Sequence, residues 1–390
     1  MAPPPPSLLL ARPSPSEANP KKTCISSISR PSTTPVASTI PKTVGKGKYE
    51  ILRKLGEGCF GEVFSGIDSR SGSAVAVKFE ASSKSDLMTE VAILKKLGDE
   101  LQGFTRLHYY GKEGQHNCLV MERLGRSLMD LHKVAGGKFS AQTTVLLAQQ
   151  SLRCLEVLHS CGIVHRDIKP ENFMCGVGQK KHHIYLIDFG MATPYYSNGK
   201  HTTFHVVQGF SGNLRYASIN AHRMYAQSRR DDLEAMGHML YFFLLGRLPW
   251  SGLPAKNWKE QNKLVMEKKE STSIPALNSE HPSAFKDYLA YSRRLGFVSK
   301  PDYAMLNGLF KQCRQRLSNE GGWPLEDNDV EWVQQSEKSE SISPLQTRAT
   351  VAQPDETSAE TASQPRATRG FVFSRLCGSG SRASEPGCSR

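Results

Sequence analysis

A chain of 390 residues has room for one large domain or two ordinary ones, and its 38% hydrophobic content is diluted by two ends poor in core residues. Nine cysteines, an odd number without Cys-x-x-Cys spacing, argue against a disulfide framework or zinc site and for reduced thiols. Of the net charge of +13, residues 1–48 carry +6, residues 334–390 carry +1, and the centre carries the rest. A basic central region suits acidic or phosphorylated partners, whereas no zinc-finger, homeodomain or RNA-recognition pattern supports nucleic-acid binding.

The longest apolar run, Met239 to Leu245, is too short to span a bilayer and fits a buried helix. The first residues, Met1-Ala2-Pro3-Pro4-Pro5-Pro6, lack a basic n-region, and Leu8-Leu9-Leu10 is too short for a signal core. Cys377 and Cys388 lie near the end, but Cys388-Ser389-Arg390 is not a prenylation box. The expectation is a protein without membrane attachment, in the cytoplasm, the nucleus or both.

In chain order, residues 1–45 are rich in Pro, Ser and Thr without periodicity, and read as a disordered extension. Lys21-Lys22 alone is too thin for a nuclear signal. Tyr49 to Leu55 reads as a strand, followed by Gly56-Glu57-Gly58-Cys59-Phe60-Gly61-Glu62-Val63-Phe64. Such glycines let a hairpin backbone approach phosphates, with Phe60 at the tip. In a dinucleotide-binding fold the third glycine would open a helix. Here Val63 and Phe64 continue as a strand, which favours a nucleotide-covering hairpin.

Ala74 to Lys78 is the next strand, and Ser85 to Leu97 reads as a helix with Leu87, Val91, Leu94 and, nearby, Met88 at helical spacing. Glu90 on that helix is the natural partner for Lys78. Glu80 lies on the same strand, facing the wrong way or too near, and Glu100 lies past the helix end at Gly98. Cys118 to Met121 reads as a buried strand leading into an extended hinge, Glu122-Arg123-Leu124-Gly125. Ser127 to Val134 opens a second lobe, and Phe139 to Cys161 is a long helix that ends at Gly162.

Next comes His165-Arg166-Asp167-Ile168-Lys169-Pro170-Glu171-Asn172, and after a hairpin-like segment Ile187-Asp188-Phe189-Gly190. A carboxylate to orient a hydroxyl, a lysine to cover phosphate oxygens, and an amide plus a second carboxylate for Mg²⁺ are what phosphoryl transfer requires. Tyr195 to Phe210 reads as a polar, flexible loop. Ser228-Arg229-Arg230-Asp231-Asp232-Leu233-Glu234 opens the apolar helix ending in Leu248-Pro249-Trp250, and an aspartate there can be a simple N-cap. Lys256 to Phe310 carries amphipathic patches that read as helices. Residues 334–390 read as a disordered Ser/Thr-rich tail, with Phe371-Val372-Phe373 as its only apolar cluster and a candidate docking element.

The hairpin, the Lys78 strand, the Asp167 loop and Asp188-Phe189-Gly190 resemble those of protein kinases. Residues from about 48 to 333 resemble the casein kinase 1 superfamily. The resemblance rests on Gly212-Asn213-Leu214-Arg215-Tyr216-Ala217-Ser218-Ile219-Asn220, Ser228 to Glu234, Leu248-Pro249-Trp250 and Lys300-Pro301-Asp302-Tyr303. Val207-Gln208-Gly209-Phe210 and Asn220-Ala221-His222 also look like the tau-tubulin kinase branch.

This resemblance implies an α+β, bilobal kinase fold over residues 46–333, with a β-rich N-lobe to about 124 and a mainly helical C-lobe from 125. It implies a non-specific serine/threonine protein kinase that uses ATP and Mg²⁺ and is active without activation-loop phosphorylation. ATP would lie under Gly56, Gly58 and Gly61, against Leu55, Val63 and Ala76, with its purine at Met121, Glu122 and Leu124. Lys78, held by Glu90, would grip the α- and β-phosphates. Asn172 and Asp188 would hold the metal, Asp167 would orient the substrate hydroxyl, and Lys169 would stabilise the γ-phosphate. Asp232 would bond the catalytic-loop backbone. The implied partners are protein substrates, acidic or already phosphorylated, and the implied state is a monomer.

Three departures bear on substrate choice. Arg166 and Arg215 match two of the family's basic positions, but Thr193 and Gln208 stand where casein kinase 1 enzymes carry lysines, and Trp258 falls at another basic position. Fewer cations weaken a charge-assisted grip on phosphate, so the expectation is a reduced dependence on primed substrates. The rival functional readings are a pseudokinase scaffold that binds nucleotide and partners, and a basic surface for microtubules or nucleic acid. No catalytic position is degenerate, which favours the enzyme.

Overall fold

The computed structural model describes residues 40–334, apart from 59–60, 84–85 and 99–100. The expectations for both tails, including Lys21-Lys22, Cys377, Cys388 and Phe371-Val372-Phe373, and those for Phe60, Ser85 and Glu100, lie outside the described residues.

The N-terminal region is a six-stranded sheet. In chain order its strands are β1 (Thr43–Val44), β2 (Tyr49–Gly58), β3 (Gly61–Asp68), β4 (Ala74–Ala81), β5 (Leu107–Glu113) and β6 (His116–Glu122). Their spatial order is β1-β2-β3-β4-β6-β5, and all neighbours are antiparallel. Helix α1 (Asp86–Leu97) interrupts the chain between β4 and β5.

Alternation along β4 sorts the two faces of the sheet. Val75, Val77 and Phe79 join Val44, Tyr49, Cys118 and Val120 in a small core on one face. Ala76, Lys78 and Glu80 occupy the other face, so of the two alternatives for Glu80 the one that fits is a residue on the same face as Lys78 and too near it. Its Oε2 instead accepts from the Leu87 amide at 3.2 Å, a bond that satisfies a free N–H in the first turn of α1. Leu87, Val91, Ile93, Leu94 and Leu97 of α1 belong to the large core of the helical region, whereas Met88 is exposed.

The C-terminal region begins with α2 (Leu128–Val134) and α3 (Ala141–Ser160), capped by Ser127 and Ser140, whose side chains accept from Asp130 and Thr143 amides. Short strands follow: β7 (Ile163–Val164), the hairpin of β8 (Phe173–Cys175) with β9 (Ile184–Leu186), β10 (Thr193–Pro194), β11 (Tyr196–Ser197) and β12 (Lys200–His201). The remaining helices are α4 (Ile219–His222), α5 (Arg229–Leu245), α6 (Trp258–Ser271), α7 (Ile274–Leu277), α8 (Ser283–Arg294) and α9 (Tyr303–Gly321).

Helix α5 is the axis of this region. From Asp231 to Leu244 every residue is buried, as the unbroken apolar run Met239–Leu245 anticipates. Burial of each large apolar side chain contributes roughly 1.5–3 kcal/mol. The segment expected as a polar loop after Tyr195 is anchored by aromatics. Tyr195 is buried, Phe204 meets Tyr225 and Phe297 at ring distances of 5.2 and 5.3 Å, and Phe210 packs on Trp258 at 5.8 Å. Among the described residues no helix is long and apolar enough to cross a membrane.

Candidate active site

The sheet presents its open backbone first. β2 and β3 form the glycine hairpin, with Gly58 opposite Gly61. Among the described residues nothing lies within 4 Å of where a Cβ on Gly56 or Gly58 would sit. Gly61 is different. Its φ is +118°, and a Cβ there would lie 2.0 Å from the Phe79 carbonyl oxygen. Only glycine allows β3 to approach β4 so closely. Leu55 sits at an irregularity between Lys54 and Gly56 in the β2–β3 register and is half-buried.

Cross-strand register gathers the next residues on the same face. Val63 lies opposite Lys78 and Lys78 opposite Leu119, while Ala76 lies opposite Met121. Met121 therefore stands beside Ala76 at the end of β6, with Thr105 Oγ1 4.0 Å from its sulfur. Glu122 lies opposite Val75 and so belongs to the other face, where its carboxylate is 4.0 Å from Lys180. Leu124 is buried, and the Gly125 amide donates to the Cys175 carbonyl at 2.8 Å, which fastens the hinge to β8.

Lys78 connects the lobes. Its Nζ donates to Glu90 Oε2 at 2.6 Å and to Asp188 Oδ1 at 3.2 Å, and the lysine and Glu90 are buried. Burial alone would lower the ammonium pKa, but the two carboxylates outweigh it and raise it above the ordinary lysine range. Asp188 is held below its usual range: burial opposes ionisation, and the Lys78 charge overcomes that penalty.

The Asp167 loop is held from below. Asp232 Oδ2 accepts the His165 amide at 2.7 Å and Oδ1 the Arg166 amide at 2.8 Å. The role suggested for Asp232 is therefore what its geometry performs. Asp231 takes the capping role instead, accepting the Ser228 amide at 2.7 Å and the Ser218 hydroxyl at 2.6 Å. Burial pushes the Asp231 carboxyl up to about 6. His159 Nε2 donates to Asp232 Oδ2 at 2.9 Å, and its Nδ1 accepts from the Tyr303 hydroxyl at 2.5 Å. His165 Nδ1 accepts the Asp167 amide at 3.3 Å, so its Nε2–H donates to the Ile187 carbonyl at 3.1 Å.

Two non-glycine residues here have left-handed backbone, Arg166 at φ 66° and Asp188 at φ 63°. Each is over-determined by the bonds around it, as strained backbone at a functional site must be. Phe189, fully buried against His165 and Phe104, holds the Asp188 turn in place. Asp167 Oδ2 accepts from Lys169 Nζ at 2.5 Å and from Asn172 Nδ2 at 3.2 Å, and the same Asn172 amide donates to the Asp167 carbonyl at 2.8 Å. Burial disfavours the Lys169 charge, but Asp167 prevails and raises its pKa.

The arrangement leaves oxygen acceptors for a cation. Asn172 uses its Nδ2 inward, which leaves Oδ1 as an acceptor, and Asp188 uses one oxygen on Lys78. Such oxygen ligands suit Mg²⁺. Among the described residues no group of three or more His, Cys, Asp and Glu side chains could hold a metal. A Mg²⁺ at Asn172 and Asp188 therefore needs phosphate and water oxygens to complete its shell.

The structure thus brings together Lys78, Glu90, Asp167, Lys169, Asn172 and Asp188 beneath the open glycine hairpin, which is the layout of a phosphoryl-transfer site. The chain belongs to the protein kinase family: residues 49–320 match the family model of the protein kinase domain. A protein kinase domain implies ATP, usually with Mg²⁺, and protein substrates.

Sequence reasoning missed a buried polar cluster in the helical region. Lys269 is fully buried and donates to the Leu214 and Ala217 carbonyls at 2.9 and 2.6 Å and to His222 Nε2 at 2.9 Å. His222 Nδ1–H in turn donates to Asn262 Oδ1 at 2.7 Å. A lysine in an amphipathic patch carries no signal of such burial. The role of His159 was equally hidden, although Tyr303 stands in the Lys300-Pro301-Asp302-Tyr303 motif.

Proposed function

We propose that the protein is an active serine/threonine kinase of casein kinase 1 type. The observation that carries this reading is the intact chain of contacts Glu90–Lys78–Asp188 with Asp167–Lys169–Asn172 below it. A pseudokinase scaffold would be expected to have lost one of these groups.

Bound Mg·ATP supplies the phosphoryl group and the neutralising metal charge. Lys78, kept charged by its two carboxylates, binds the α- and β-phosphates. Leu55, Val63 and Ala76 with the Met121–Leu124 edge hold the purine. Asp167 orients the serine or threonine hydroxyl and accepts its proton. Lys169, already beside Asp167, places a cation where charge develops on the phosphoryl oxygens. Asn172 and Asp188 hold the metal, and the protein acts as a monomer in the cytoplasm, the nucleus or both.

The substrate side supports a weak requirement for a priming phosphate. Arg166 is turned inward, its Nε donating to the Met191 carbonyl at 2.7 Å. Gln208 is exposed and neutral, and Trp258 packs on Phe210. Arg215 is the exposed cation left of the matched positions, stacked over Phe242 at 5.6 Å.

Transfer of labelled phosphate from Mg·ATP to casein, and to the protein itself, tests this reading. Signal from the wild type and none from Asp188→Asn supports it. Nucleotide binding without transfer in either protein moves the assignment to the scaffold. A pair of peptides differing only in an upstream phosphoserine tests the priming clause, and a large rate gain for the phosphorylated peptide defeats it.

A further inference from the structure

Behind the hinge lies a second cavity of about 880 Å³, which none of Lys78, Asp167, Lys169, Asn172 or Asp188 lines. Five fixed cations face it, Arg106, Arg123, Arg153, Lys180 and Arg314, against two carboxylates, Glu122 and Asp327. Two of the cations are matched: Lys180 is 4.0 Å from Glu122, and Arg314 is 2.6 Å from Asp327. The other three have no carboxylate within ion-pair distance among the described residues. They converge from separate parts of the chain, Arg106 ahead of β5, Arg123 in the hinge and Arg153 on α3.

The side chains of Arg106 and Arg153 are exposed and make no hydrogen bond to a described residue, so neither holds the fold together. Local titration is consistent with an excess of positive charge. Burial, then the charge of Arg53, lowers the Arg123 pKa. Burial, then His182, holds His183 below the usual imidazole range, with Lys180 and Arg153 adding to the push against the opposing Asp327.

The shape of the lining selects among anions. Single-stranded nucleic acid needs exposed aromatic faces for stacking, and the aromatics here, Phe104 and Tyr185, are buried. The wall offers instead the exposed side-chain amide of Gln102, which suits a peptide main chain, while Gln150 is already bonded to His182 and Ile184. A concavity of this size takes a short extended segment rather than a folded domain.

We propose that this groove docks a short Asp/Glu-rich segment of a protein substrate, remote in sequence from the phosphoacceptor, and so concentrates that substrate at the active site. The substrate clause rests on the kinase reading above; the binding clause does not.

The test uses the full chain and an acceptor peptide joined by a Gly/Ser linker of about 25 residues, with an extended reach of roughly 80 Å, to a run of glutamates or of glutamines. The glutamate peptide should show a KM about tenfold lower than the glutamine peptide, with a gap that closes as salt rises. The double variant Arg106→Glu/Arg153→Glu should lose that advantage while kcat and the glutamine peptide stay unchanged. Equal KM values in the wild type, or an advantage that survives in the variant, overturns the proposal.

Anisotropy of a fluorescent polyglutamate peptide gives a readout independent of catalysis. Binding to the wild type and not to the variant, with neither acceptor phosphorylated, supports the groove and removes the kinase reading. A labelled single-stranded oligonucleotide that binds this groove more tightly than polyglutamate overturns the peptide assignment.

Discussion

The two halves of the cleft are built in opposite ways. In the upper half no described residue crowds the backbone at Gly56 and Gly58, and the pairing of Lys78 with Glu90 ties the sheet to α1. In the lower half each group near Asp167 is bonded from several sides, through Asp232, His159, Tyr303, His165 and Asn172. The upper half suits accommodation of a flexible polyphosphate. The lower half suits proton and phosphoryl transfer, where a small misplacement of the reacting groups is expensive in rate.

The sharpest way to break this contrast is at the chemistry. Asp167→Asn should lower kcat by about 10²–10⁴-fold while ATP affinity, read by fluorescence titration, changes less than about twofold. Comparable losses in both would mean that the lower half also builds the nucleotide site.

Next in size is the support. Asp232→Ala leaves two amides and His159 without their acceptor, so it should cost about 3–5 kcal/mol in a denaturation experiment. Lys78→Met should lose activity with a smaller stability loss, because Glu90 can take up a proton. Equal stability losses would erase the difference between the halves.

Within the upper half, Gly61→Ala forces a Cβ against the Phe79 carbonyl and should raise KM for ATP about tenfold, a cost of roughly 1–2 kcal/mol. Gly56→Ala meets nothing within 4 Å and should change it less than about threefold. Similar values for the two would show that the hairpin yields as a whole.

The buried cluster around Lys269 adds a pH slope. Burial, then the Lys269 charge, depresses His222 to about 3, so it stays neutral in the fold while the unfolded chain binds a proton below about 6.5. Its contribution is present above that pH and is lost as pH falls toward 3, at up to about 1.4 kcal/mol per pH unit. Denaturant midpoints from pH 6.5 to 4.5 should fall less steeply for His222→Gln. An unchanged slope would remove His222 from the linkage.

Much of this site was legible before any fold was known. Lys78, Asp167, Lys169, Asn172 and Asp188 stand in short contiguous motifs whose spacing is set by one loop or one strand, and Glu90 follows from helical spacing. Glu80 was rightly set aside as the partner of Lys78, but only the position of α1 shows that it caps a helix. The loop after Tyr195 was read as merely polar because its anchors, Phe204 and Phe210, reach partners at Phe297 and Trp258, far along the chain.

The sequence by itself determined the reaction groups, the two-region order and the glycine hairpin, because those depend on local spacing and backbone freedom. Tertiary structure alone decided which buried polar groups serve the catalytic loop. Asp232 and Asp231 are adjacent and chemically identical, yet one holds the loop and the other caps α5. A helix turns successive residues in different directions, and what each meets is set by elements that arrive from elsewhere in the chain. The same holds for Lys269, whose burial rests on carbonyls at Leu214 and Ala217, and for the three arginines behind the hinge, which no sequence window places together.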